Sequence, residues 1–159
     1  MRYVKWLLLL PVLLFPYSFW FMPAHPSGNG WIQPGRLWLL GLVCALAVLG
    51  LGLWGRWSPR SMALAGMVVK LLQIPAYVIW FLVGVLLIVF MGPILTLLVD
   101  TMTIALTGLV GLAAVARCKQ AGLLTWKQAV VHGVLQFVFC ADVISAVILY
   151  QKTIKEVFP

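Results

Sequence analysis

Apolar residues run through this chain in long, continuous stretches, parted by short clusters of proline, glycine and basic residues. None of the stretches alternates apolar with polar positions, which argues against a β-barrel and for helices. The pattern predicts an all-α, integral-membrane helical bundle forming a single domain over 1–159. About five transmembrane helices are expected, at 4–22, 37–54, 74–91, 94–116 and 129–150. Residues 61–91 are mostly apolar, but one helix of that length would reach about 46 Å at ~1.5 Å per residue, beyond the ~30 Å hydrocarbon core. Lys70, Gln73 and Pro75 interrupt its first part. An interfacial lead-in helix at 61–72 followed by a span at 74–91 therefore fits better.

The first segment begins with charge, as a signal peptide does. Pro23-Ala24-His25-Pro26 is a poor cleavage site, however, and the apolar run is too long, so a retained anchor helix is expected. Pro11 and Pro16 should bend it, and Tyr17, Phe19, Trp20 and Phe21 suit an interfacial aromatic belt. Residues 23–35 read as a loop with an Asn29-Gly30 turn, and Gly92-Pro93 as a tight break. Basic residues gather at one set of ends: Arg2, Lys5, Arg56, Arg60, Arg117, Lys119 and Lys127. That asymmetry predicts an inside N-terminus, with Lys152 and Lys155 in the tail as the exception.

Composition strengthens the membrane reading. The chain is 64% hydrophobic and 9% charged, where a soluble domain carries about 25% charged residues. Mean hydropathy is +1.11. The net charge of +8 does not imply nucleic acid, because the basic residues form no run and border apolar segments like head-group anchors. Cys44, Cys118 and Cys140 contain no CxxC spacing and read as reduced, small apolar residues.

Three acidic residues occur, and two of them, Asp100 and Asp142, fall inside apolar stretches. A charge at the bilayer centre costs roughly 2.5–3.5 kcal/mol on insertion scales, so such residues face protein or water and raise a functional hypothesis. Asp100, Thr103, Thr107 and Gly111 share one helical face, and the small residues among them suit close packing. His132, Gln136, Cys140, Asp142 and Ser145 form a polar arc broader than one face. Depth along two antiparallel neighbours would bring Asp100 and Asp142 to similar levels. A shared carboxylate site, with hydroxyls from Thr103, Thr107 and Ser145, would suit a proton or a hard cation. Lys70, Gln73, Tyr77, Trp80 and Gly84 form a stripe of segment three. Together with His132 and Gln136, the first three are candidates for a polar lining. Lys70 is expected to snorkel to the inner interface; in the alternative it enters the bundle and pairs with Asp142 or Asp100. Each polar face also has a plain packing role as its alternative.

No phosphate loop, dinucleotide fingerprint or HExxH occurs, and neither aspartate has GxGD surroundings. No enzyme, cofactor or named metal is predicted. Three stretches, Lys70-Leu-Leu-Gln-Ile-Pro-Ala-Tyr77, Asp100-Thr-Met-Thr-Ile-Ala-Leu-Thr-Gly108 and Gln136-Phe-Val-Phe-Cys-Ala-Asp-Val-Ile-Ser145, carry a resemblance. Over about residues 65–151 the chain resembles an uncharacterised family of small multi-spanning membrane proteins of low-GC Gram-positive bacteria. The resemblance implies a helical bundle in the bacterial cytoplasmic membrane and brings no activity with it. The expected function is transport or conduction of protons or small cations, by the chain alone or as a homo-oligomer. The alternatives are an accessory or immunity-type protein packed against a membrane partner, and a small lipid-acting enzyme.

Overall fold

The computed structural model describes residues 4–21, 32–55 and 57–155. Six α-helices account for most of them: α1 (Val4–Leu14), α2 (Ile32–Leu53), α3 (Pro59–Leu86), α4 (Gly92–Gln120), α5 (Trp126–Leu135) and α6 (Ala141–Lys155). Tighter 3-10 turns continue α1 over Phe15–Phe21 and join α3 to α4 at Ile88–Phe90. No strand occurs among the described residues. Three helices are long and apolar enough to cross a membrane: Gln33–Leu53, Pro59–Leu86 and Gly92–Gln120.

Three expected boundaries change. Residues 61–91 do not divide into an interfacial 61–72 and a span at 74–91; α3 is one helix of 28 residues that passes through Pro75. Lys70 and Gln73, which suggested a wet lead-in, are both buried and bonded to other elements, so they need no interface. Segment 129–150 is not one helix either. It breaks at 136–140 into α5, of 10 residues, and α6, of 15. Segment one keeps its expected irregularity, with Pro11 inside α1 and the 3-10 turns beginning just before Pro16. Its last residue, Met22, lies outside the described residues, as does most of the 23–35 loop. α2 starts at Ile32, earlier than the expected 37.

α4 is the central helix, packing against α2, α3, α5 and α6. Its Leu106, Val110, Ala113 and Ala114 join Val12 and Phe15, Ala45 and Val48, and Met62, Ala65 and Val69 in one buried cluster. The outside is apolar too: Val43, Phe81, Leu86, Phe90 and Leu97 are exposed.

The stripe predicted along α3 is its buried face, and most of its polar groups meet a backbone or side-chain partner. Gln73 Nε2 donates to the Val12 carbonyl at 3.1 Å. In a regular helix that carbonyl would accept from residue 16, but Pro16 has no N–H to give. Trp80 Nε1 donates to the Pro16 carbonyl at 3.1 Å. α3 thus supplies the donor that Pro16 withholds from Val12, and a second donor to the Pro16 carbonyl itself. Gln73→Leu should leave the Val12 carbonyl buried and unpaired, at a cost of about 1–3 kcal/mol. Thermal unfolding of the purified protein in detergent would check it, and an unchanged midpoint would remove this role.

The basic ends hold the connections. Arg117 Nε donates to the Trp57 carbonyl at 2.8 Å, and Gln120 Nε2 donates to the Leu53 carbonyl at 3.0 Å. The end of α2 and the start of α3 are thereby tied to the last turn of α4.

Candidate functional site

The break at 136–140 positions the polar cluster. α5 opens on a capping box in which Thr125 and Gln128 serve each other's backbone N–H groups. It ends near Gln136. Cys140 then takes a left-handed backbone conformation, with φ of 65°. This turns the chain before α6, and Asp142 falls in the first turn of the new helix. One of its oxygens, Oδ1, accepts the Val143 N–H at 2.8 Å. A carboxylate is favoured at this position, where helix N–H groups lack partners and the helix dipole is positive.

Lys70 reaches the same break from α3. Its ammonium donates to Asp142 Oδ2 at 2.8 Å and to the Gln136 backbone carbonyl at 3.3 Å. The two side chains are 1% and 3% exposed, so the pair is fully enclosed. The cation therefore lies between the carbonyl end of α5 and the carboxylate at the start of α6. Both helix ends present negative groups to it.

Behind the pair lies a second polar set. Ser145 Oγ stands 2.8 Å from His132 Nδ1 and accepts from Gln136 Nε2 at 3.0 Å. With the His132 proton on Nε2, the serine hydroxyl donates to Nδ1 and all three groups are used. Gln136 Oε1 is buried, has no hydrogen-bond partner among the described residues, and lies against Gly111 of α4. Gly108 makes the same kind of room for the Phe137 ring. The small-residue face of α4 is thus the seat of the helix break.

The predicted site residues separate into groups. Lys70, His132, Gln136, Asp142 and Ser145 come together. Asp142 meets Lys70 instead of sharing a site with Asp100, and Lys70 does not snorkel to an interface. The expected interface position of Lys70 went with an interfacial lead-in at 61–72, and α3 is instead one continuous helix. Thr103 and Thr107 are buried, but their hydroxyls donate to the Val99 and Thr103 carbonyls of their own helix. They offer no free donor to a ligand. Gln73 serves the first segment. Tyr77 Oη is buried beside Thr107 and has no hydrogen-bond partner in good geometry. Its ring packs edge-on against Phe139.

Two open grooves flank this region. One, of about 480 Å3, is lined by Ile74, Tyr77, Val78, Phe81, Phe139 and Ile144, and Asp142 borders it. The other, of about 250 Å3, lies between α3 and α4 and is lined by Gly84, Val85, Pro93, Thr96, Leu97 and Asp100. Among the described residues no group of three or more His, Cys, Asp or Glu is placed to hold a metal ion.

The helix break is what the sequence reading missed. Its signal was the polar arc from His132 to Ser145, too broad for one face of a regular helix. A chain turning at 136–140 brings those residues to one side.

Residues 54–155, more than half of the chain, match the family described as a family of unknown function, DUF6652. The match includes every residue of the polar network. No curated protein and no solved structure matches the chain.

Proposed function

We propose that this chain, which belongs to the DUF6652 family of unknown function, is a multi-pass membrane protein that moves protons or small cations, with Lys70 and Asp142 at the centre of the path. The membrane reading rests on three helices of sufficient length and apolarity, and on an apolar exterior. Five passes follow if the first segment and the α5–α6 pair each cross once. The basic ends then give an inside N-terminus, and the bacterial cytoplasmic membrane suits that charge pattern.

One observation carries the functional reading: an enclosed cation held between two half-helix ends. Broken helices with carbonyl and carboxylate groups facing the gap are a recurring way to bind cations within a membrane. Here the Lys70 ammonium occupies that position. A proton arriving on Asp142 would cancel its charge and leave the ammonium on the Gln136 carbonyl alone. A metal cation would have to displace the ammonium. Either event couples a charge to the α5–α6 gap. His132 and Ser145 extend the polar track on the far side of Gln136. Asp100 has no part in this site.

The tight enclosure of the pair favours a second reading, in which it only locks the helices of an accessory protein. Flux separates the two. The purified protein in liposomes should pass protons, sodium or potassium above the empty-liposome rate. The Lys70→Met/Asp142→Asn double variant, which leaves no buried charge unpaired, should lose that flux while staying folded. No flux of any of the three ions through folded wild-type protein would favour the accessory reading.

A further inference from the structure

Asp100 sits eight residues into α4, about 12 Å from its start at ~1.5 Å per residue. It is half-buried, and its Oδ1 is enclosed with no hydrogen-bond partner among the described residues. The groove in front of it is otherwise apolar, walled by Val85, Ile88, Pro93 and Leu97. Thr96 does not serve the carboxylate, since its hydroxyl donates to the Trp80 carbonyl at 3.0 Å. At about 250 Å3 the groove is smaller than the ~300–1,000 Å3 typical of small-molecule pockets. It is open along one side and suits side chains projecting from a neighbouring helix.

We propose that this groove docks a transmembrane helix of a different protein, one that presents a single basic residue to Asp100. The argument is charge complementarity. An acid in an apolar groove at this depth calls for a cation, and among the described residues none is bonded to it. Lys70 is already held by Asp142. Among the described residues, the other basic side chains, Arg36, Arg60, Arg117, Lys119, Lys127 and the pair Lys152 and Lys155, lie near helix ends. A second copy would bring its embedded lysine already paired and its other described cations from near helix ends. The inference needs the membrane reading but not the transport one.

The test uses synthetic helices in liposomes that hold the full chain. One peptide is a leucine-rich transmembrane helix with a single lysine about 12 Å from its outer end. The second has leucine there, and the third glutamate. Fluorescence energy transfer reads binding, and flotation of the liposomes separately reports whether the chain is membrane-embedded. The lysine peptide should bind about tenfold more tightly than the leucine peptide, and the glutamate peptide least. Asp100→Asn should erase the preference for lysine. Val85→Trp, which fills the groove from its wall, should weaken the lysine peptide, and the exposed neighbour change Thr101→Ala should leave it unaltered. Equal binding of the lysine and leucine peptides would overturn the proposal. Self-association of the chain that Asp100→Asn abolishes, without a lysine preference, would overturn it in favour of a second copy.

Discussion

Lys70→Met alone should destabilise the protein by about 3–5 kcal/mol, and adding Asp142→Asn should restore most of the loss. The reason is the asymmetry of enclosed charge. Removing the lysine leaves Asp142 ionised with one backbone N–H on Oδ1 and nothing on Oδ2. Removing the acid alone leaves the ammonium with only the Gln136 carbonyl. With both charges gone, methionine fills much of the lysine volume and the amide keeps a hydrogen bond from Val143. Urea or thermal unfolding in detergent of the two single variants and the double gives the coupling directly. Additive losses would mean that the pair is solvated and that its enclosure has been misread. The same double variant is the one used for flux, so stability and transport can be scored apart.

Gly111→Leu should be as damaging, at about 3 kcal/mol or more, well above the usual effect of a surface change. A Cβ at this position runs into the Gln136 amide, and comes within 2.9 Å of its Cγ as well. The amide cannot retreat without giving up its bond to Ser145 Oγ. A leucine must therefore push the helix break away from α4. Gly133→Ala is the matched control. Its Cβ would meet Leu112 Cδ2 at 3.4 Å, an ordinary contact. Alanine there should be neutral or stabilising by about 0.5–1 kcal/mol, from helix propensity alone. Comparable losses in both variants would show that glycine at 111 serves the helix generally and not the seat of the break.

The sequence made much of this fold readable through a few residues. The spacing of Lys70, Gln73, Tyr77, Trp80 and Gly84 marked the inner face of α3. Thr103, Thr107 and Gly111 marked the face of α4 that the structure buries. Those faces were legible because helix periodicity is local. The destination of Lys70 was legible only as the alternative to an interface, because it depends on where a segment some 66 to 72 residues later turns. That turn itself carries no proline or glycine between Gln136 and Ala141. It is held by tertiary groups, the ammonium on both of its flanks and two glycines beneath it. A break supported from outside leaves little trace in its own residues. Asp100 was legible as an acid in an apolar run, but the pairing of Asp142 with Lys70 was not fixed by depth alone.

The late partner of Lys70 has a consequence for synthesis. The lysine leaves the ribosome well before Asp142 does. Until Asp142 follows, 72 residues later, α3 must be held with an uncompensated cation in its middle. The closing of the α5–α6 gap around the ammonium ends the interval in which the lysine stands without its carboxylate.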